Sequence, residues 1–351
     1  MTSTERVTAA FSFQQPDRIP RYDGFWGYTK EWEARFGHQA ALTDMLEWVP
    51  LEGTFPTRMR QVKEEGGWIY EIDQWGRLIR RQVGSYFAET LEVPMPPGTD
   101  PDTVTFDPPE LDLRYLKAAS ELETVHALDA AKEKYFVVGK TGGPYLRTTF
   151  IRGEAEFLMD IAGDPDFARV LADKMADHLI GIAREQIRRW SLYDTGVFIN
   201  DDMAYNDGPM FSPESFEKVF LPAYRRMVRE YKAAGAKWVL FHSDGNIMPV
   251  LDMLVDAGID GINPIERRAG MDPMAIRRRW PHLILIGGVC NTDILLNGPV
   301  ARIEAHVREL IDLGRHGGLV IGTHSINPAE IPPAHFEAYH RTCMTYGNFR
   351  T

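Results

Sequence analysis

From Tyr135 onward, short apolar runs alternate with amphipathic stretches. The runs are Tyr135 to Lys140, Val197 to Asp201, Trp238 to His242, Gly261 to Pro264, Leu283 to Gly287 and Leu319 to Gly322. Each is too short for a helix and is followed by polar or glycine residues, the pattern of parallel strands buried on both faces. The stretches between them carry helix signals. Ser212 before Pro213 and Asp272 before Pro273 place an N-cap ahead of a proline at the first helical position. Gly235, Gly258 and Gly314 suit helix stops. After Ser212, the residues Phe216, Val219, Phe220, Ala223 and Met227 recur at three- and four-residue spacing, which lays one helical face on the core. Pro222, lacking an N–H, is expected to kink this helix. Strand and helix alternating in this way predict an α/β fold, a single (β/α)8 TIM-type barrel.

Residues 1–134 are less regular. Ile19 to Phe25 reads as a first barrel strand, Trp68 to Gln82 as a hairpin turning at Gln74 to Gly76, and Pro94 to Pro109 as a proline-rich connection. We take this part as an N-terminal extension capping the barrel. The expected organisation is one barrel domain over 1–351, with regular βα units from 135 to 351. The GxGxxG, P-loop, HExxH and GxSxG motifs are absent, which favours a barrel over a doubly wound nucleotide-binding sheet.

Composition narrows the partners. A net charge of -11 over 351 residues argues against a surface that neutralises nucleic-acid phosphates or anionic lipid. Two cysteines, Cys290 and Cys343, are too few for a disulfide framework. Met1 to Phe11 lacks the apolar core of a signal peptide, and no run approaches the ~20 apolar residues of a membrane span. The expectation is a cytoplasmic protein that acts on a small molecule, with no nucleic-acid or membrane partner.

In a (β/α)8 barrel the chemistry stands at the strand C-termini. Polar residues follow one run after another: Asp23; Lys140; Asn200, Asp201 and Asp202; His242 and Asp244; Asn263 and Glu266; Cys290; His324. Within His242-Ser243-Asp244, residues two apart on an extended segment point to the same side and can share an ion. His324 is the natural third ligand, since two imidazoles and a carboxylate leave coordination positions open. A lone histidine is more often a hydrogen-bonded structural residue. Cys290 could add a thiolate ligand or a nucleophile, or be small packing material. Asp201 and Asp202 could move substrate protons or cap a helix. Arg147 could hold a substrate carboxylate, although an ion pair is the commoner fate.

Several phrases together resemble the uroporphyrinogen decarboxylase superfamily over nearly the whole chain. They are Pro16-Asp17-Arg18-Ile19-Pro20, Asn200-Asp201-Asp202 leading into Gly208-Pro209-Met210-Phe211-Ser212-Pro213, Leu221-Pro222, Phe241-His242-Ser243-Asp244-Gly245-Asn246, Gly261-Ile262-Asn263-Pro264-Ile265-Glu266, and Gly322-Thr323-His324-Ser325-Ile326. The resemblance implies a barrel of the kind shared by the decarboxylase, corrinoid-linked methyltransferases and cobalamin-independent methionine synthase. The decarboxylase's Arg-Gln-Ala-Gly-Arg-Tyr phrase, which grips porphyrinogen carboxylates, is missing; Pro20-Arg21-Tyr22-Asp23-Gly24 is the nearest stretch.

The methyltransferase branch is the better match, and it implies a zinc held by His-x-Cys and a distant Cys. Here Asp244 stands at the first cysteine position and His324 close to the second. The expectation is a metal-dependent methyltransferase-like enzyme in which His242, Asp244 and His324, with Cys290 as an additional candidate, bind zinc or another divalent ion. Asp201, Asp202 or Glu266 would handle protons, while Asp23, Arg147, Asn200 and Asn263 would contact substrate. A corrinoid enters as substrate or on a partner protein. The alternatives are a metal-independent decarboxylase or lyase of a small carboxylated substrate, a non-haem iron oxygenase, and a corrinoid- or tetrapyrrole-binding protein without catalysis.

Overall fold

A computed structural model describes residues 1–25, 28–85, 87–116, 121–323 and 326–349. The first strand of its main sheet, β1 (Met45–Trp48), precedes a separate antiparallel sheet of β2 (Arg60–Glu65), β3 (Trp68–Ile72), β4 (Leu78–Gln82) and β5 (Ala88–Glu92). The main sheet continues through β6 (Phe136–Gly142) and β7 (Gly196–Asn200). After a two-residue pair, β8 (Ala204–Tyr205) and β9 (Gly208–Pro209), it runs on through β10 (Trp238–His242), β11 (Gly261–Asn263), β12 (Ile284–Val289) and β13 (Leu319–Thr323). Its order is β1-β6-β7-β10-β11-β12-β13, with every pairing parallel.

The segment from Pro20 to Gly24 closes the ring. Ile321 N donates to Pro20 O at 2.9 Å, Tyr22 N donates to Ile321 O at 2.9 Å, and Asp44 N donates to Arg21 O at 2.8 Å. The segment thus spans the gap between β13 and the start of β1, and the α/β barrel expected from the alternating pattern is the fold observed. Bridges at Arg21 and Phe25, rather than a continuous ladder, hold it to the last strand side. Pro20 has no N–H to extend the pairing.

Both faces of the barrel wall are apolar, for different reasons. Phe136, Val138, Phe198, Trp238, Leu240, Ile284, Ile286 and Val320 form one buried cluster together with Val7 and Phe11 of the helix Ser3–Phe11. These alternate residues fill the barrel interior, and the N-terminal helix contributes to the same plug. Their neighbours Val197, Ile199, Val239, Phe241, Ile262, Leu285, Leu319 and Ile321 pack outward in the larger cluster that includes the surrounding helices. The period-2 register therefore decides which strand-end residues face the interior.

Ser212 and Asp272 cap helices, accepting Ser215 N at 3.1 Å and Ala275 N at 3.2 Å respectively. The disturbance expected at Pro222 takes the form of a wide turn upstream: a short helix Pro213–Ser215, a π-helical turn Phe216–Phe220, then the helix Leu221–Ala233. Pro222 cannot donate the N–H that an α-helix would direct at the Lys218 carbonyl. In the small sheet, Asp73 Oδ1 accepts Trp75 N at 2.9 Å and Arg77 N at 3.0 Å, shaping the β3–β4 turn. Gly76 at φ +79° completes it, and a Cβ there would lie 2.5 Å from the Phe55 ring. Trp75 at this turn packs on Phe150 and under the Arg147 guanidinium, which docks the small sheet beside the C-terminal mouth of the barrel. Among the described residues no helix is long and apolar enough to cross a membrane.

Candidate functional site

On four of the strands, two residues beyond the last apolar plug residue, the same register brings polar groups inward. Val138 is followed by Lys140, Phe198 by Asn200, Leu240 by His242, and Met45 by Glu47. These four, with Tyr22, Asp23, Arg147, Asp202, Asp244 and Asn263 among others, line a cavity of about 440 Å³.

Within it His242 Nε2 lies 3.6 Å from the exposed Asp202, at Oδ1, and 3.6 Å from Asp244 Oδ1. One ligand atom from each of the three residues falls within 4.8 Å of the others. His242 Nδ1 is 2.6 Å from Asn263 Oδ1, and Asn263 Nδ2 donates to Ile286 O at 3.0 Å. The second bond fixes which way the amide faces, so Asn263 presents its oxygen to the ring. Nδ1 then carries the proton and the Nε2 lone pair turns toward the carboxylates. Ser243, of opposite register and buried, anchors the turn by accepting Met203 N at 3.1 Å and donating to Asp244 O at 3.0 Å.

The donor set fits a divalent ion. With metal–ligand bonds of ~2.0–2.2 Å, the edge of a tetrahedron is about 3.3–3.6 Å, matching the spacing of Nε2 from each carboxylate. One imidazole and two carboxylates make a harder set than thiolates would. The cavity lining opposes four carboxylates, Asp23, Glu47, Asp202 and Asp244, to two permanent cations, Lys140 and Arg147. Both cations face carboxylates: Lys140 Nζ is 2.7 Å from Glu47 Oε2, and Arg147 is paired with Glu52. Its field therefore favours a cation.

Asp202 moves from a proton-handling expectation to the ligand cluster. Asp201, expected to move substrate protons or cap a helix, stands apart from that cluster. It has the opposite register to Asn200, is fully buried, and does not line the cavity. Its carboxylate accepts Tyr145 N at 3.0 Å, Leu146 N at 2.6 Å and the Tyr224 hydroxyl, capping the helix Pro144–Arg152. Burial pushes its carboxyl up, only partly offset by those donors, to about 6. The unfolded chain loses this proton near ~3.9, whereas the folded chain keeps it until about 6. This group's contribution to stability therefore falls as pH rises through that window. Asp201→Asn, which cannot ionise, should flatten the pH dependence of thermal stability between pH 4 and 6, on the order of 2 kcal/mol. An unchanged slope would refute the assignment.

Glu266 is also outside this cavity: its carboxylate accepts Gly245 N and supports the turn after Asp244. Cys290 lines a neighbouring cavity, where its Sγ accepts Asp293 N at 3.4 Å and caps the turn Asn291–Leu295, so it is not part of the ligand cluster. His324 lies outside the described residues. Asp23 lines the cavity wall but is engaged, accepting Thr323 N, Thr323 Oγ1 and Tyr339 OH and pairing with Arg21 at 2.7 Å. Asn200 Oδ1 is buried in the wall with no donor among the described residues, a position that a ligand's N–H or O–H could satisfy.

Of the Tyr22–Glu47–Lys140 group, Lys140 was legible in the sequence as a strand-end polar residue, but its partners were not. Tyr22 OH donates to Glu47 Oε1 at 2.8 Å. Burial pushes the Glu47 carboxyl up, but Lys140 and Tyr22 outweigh it and hold it below its ordinary value. The signal was the register itself: Glu47 interrupts the short apolar phrase Met45-Leu46-Glu47-Trp48.

A closed parallel α/β barrel with its polar groups gathered above an apolar plug, at the strand C-termini, is the architecture of barrel enzymes. The chain belongs to the uroporphyrinogen decarboxylase family, whose model matches residues 88–346. Among solved structures it is similar to a methyltransferase from Methanosarcina mazei, at 18% identity and a TM-score of 0.66 over 99% of both chains. Weaker likenesses, both at a TM-score of 0.37, are to a protein described as a vitamin-B12-independent methionine synthase from Listeria monocytogenes and to a D-psicose 3-epimerase from Clostridium cellulolyticum. Their identities are 14% and 13%; they cover 65% and 66% of this chain and 68% and 84% of their own. No curated protein matches the chain.

Proposed function

We propose that this protein is a metal-dependent methyltransferase-like enzyme, moving a methyl group between a corrinoid or methylated small molecule and an acceptor. Asp202, His242 and Asp244 hold a divalent ion, with zinc the leading candidate. The observation that carries the reading is their convergence in the cavity lining, with His242 oriented by Asn263. Family membership and the fold shared with a methyltransferase support it.

When bound, the ion would supply Lewis acidity to a ligand oxygen or nitrogen, lowering its pKa so that the nucleophile is available near neutral pH. The chain's own groups do the rest. Asn263 holds the His242 ring and its tautomer. Asn200 Oδ1 orients a substrate N–H or O–H. Lys140 Nζ, steadied by Glu47, holds a proton at the cavity wall. A nitrogen and oxygen donor set makes an oxygen or nitrogen acceptor better suited here than a thiol.

The decarboxylase alternative needs a cation to grip a substrate carboxylate. The permanent cations of this cavity already face Glu47 and Glu52.

The reading is tested by following methyl-corrinoid absorbance with oxygen, nitrogen and thiol acceptors, before and after chelation. Demethylation lost on chelation and restored by zinc is expected; turnover indifferent to metal would refute it. Asn263→Ala should weaken metal binding by about 10–100-fold, the usual cost of losing a partner that orients a ligand. A competition titration against a chromogenic chelator measures it, and wild-type affinity in this variant would remove Asn263 from that role.

A further inference from the structure

A second cavity, of about 330 Å³, opens at the same end of the barrel. The ends of β11 and β12 and the segment after β13 form it, with Ile265, Val289 and Ile331 as buried apolar walls. Its polar groups are unevenly satisfied. Glu266 accepts Gly245 N, and Glu330 accepts the Asn327 amide at 2.9 Å. Arg267 is paired with Glu309 and Asp272. Arg268, the next residue, is exposed at the rim of the cavity, where it is the one cation beside Glu266 and Glu330, and it pairs with no carboxylate among the described residues. Asn291 Oδ1, buried in the wall, meets no donor among the described residues. A guanidinium without a carboxylate is a planar fork for one. A buried amide oxygen without a donor costs about 1–3 kcal/mol until a ligand supplies one.

We infer that this second cavity binds a small aliphatic carboxylate bearing a hydroxyl or amino group. Its carboxylate lies on Arg268, its O–H or N–H on Asn291 Oδ1, and its hydrocarbon body on Ile265, Val289 and Ile331. The volume falls at the lower end of the ~300–1,000 Å³ range of small-molecule sites. Between the two cavities runs the turn Asp244-Gly245-Asn246: Asp244 faces the first, and Glu266, in the wall of the second, holds Gly245 N. The ligand is thereby placed beside the metal cluster as second reactant, a role that rests on the transfer reading; the binding itself does not.

Cys290 gives a direct readout, because it lines this cavity half-buried, whereas Cys343 is buried and its thiol is pushed up to about 12 by that burial. The rate of Cys290 alkylation by iodoacetamide is measured on the intact protein with 2-hydroxybutyrate, 2-aminobutyrate or butyrate as probes. At saturation, a 2-substituted acid should slow alkylation at least tenfold. Arg268→Gln should raise the half-protecting concentration at least tenfold while leaving metal content unchanged. His242→Ala, which should lose metal, should keep the protection, so failure of the metal reading would not mimic failure here. Unchanged alkylation with every probe at millimolar concentration, undiminished protection in Arg268→Gln, or protection lost in His242→Ala would each overturn the assignment.

Discussion

His242→Ala is expected to lose its divalent metal, falling from about one ion per chain to below a tenth after dialysis against buffer containing a weak chelator. Among the described residues the imidazole is the sole nitrogen donor of the cluster, and its Nε2 lies 3.6 Å from each carboxylate. Removing it leaves Asp202 and Asp244 without the group that spans them. Their like charges would be held together by backbone constraints, among them Asp244 N donating to Asp202 Oδ1 at 3.1 Å. Loss of a direct ligand should exceed the ~10–100-fold cost of losing an orienting partner, so an affinity loss beyond about a thousandfold is anticipated. Asp244→Ala should lose metal likewise, whereas Asp201→Asn, whose carboxylate caps a helix, should keep it. Metal retained by both His242→Ala and Asp244→Ala would place the ion elsewhere.

The largest stability loss should follow Asp44→Ala. Asp44 is buried where the barrel closes, just before β1. Its carboxylate meets Arg6 Nη1 at 2.8 Å, Arg18 Nη1 and Nη2 each at 2.8 Å, Ser3 Oγ at 2.8 Å and Arg21 N at 2.9 Å. One side chain thus ties the N-terminal helix, the closing segment and the first strand together. Truncation would leave the partly buried Arg18 without its carboxylate and the nearly buried Arg6 with Asp17 alone, at a cost of up to about 3–5 kcal/mol. A urea unfolding midpoint measures it, and a loss below about 1 kcal/mol would contradict this role.

The sign of the pH effect follows from the same geometry. Burial pushes the Asp44 carboxyl up, but Arg18, Arg6 and the Arg21 N–H outweigh it, so its folded pKa lies below the usual carboxylate value. Its contribution to stability is present above the unfolded value of ~3.9 and is lost as pH falls through the lower folded value. Wild type should therefore lose stability on acidification below about pH 4 more steeply than Asp44→Ala.

The barrel was legible because parallel strands buried on both faces leave continuous apolar runs, and Trp238 to His242 is the clearest of them. β1 escaped notice because four residues interrupted by Glu47 make no run; burial of Met45 and the Glu47–Lys140 pair depends on β6, far along the chain. The His-x-Asp turn could be read from its spacing, since both side chains project to one side. Asp202 could be located only once β7 and β10 lay side by side, because its proximity to His242 is tertiary. The local pattern did carry the distinction between Asn200 and Asp201: two residues after an inward Phe198 comes Asn200, so its neighbour must point outward. Cys290 at a strand end looked equivalent to His242, but it opens into the adjoining cavity and its sulfur is turned to the Asp293 N–H.

The most direct measurement is X-ray absorption at the metal edge of protein purified without chelator. The expected first shell contains nitrogen and oxygen only, at ~2.0–2.2 Å, with imidazole outer-shell scattering. A sulfur shell near ~2.3 Å, or a metal-free protein that fails to take up added zinc, would contradict a centre built from Asp202, His242 and Asp244.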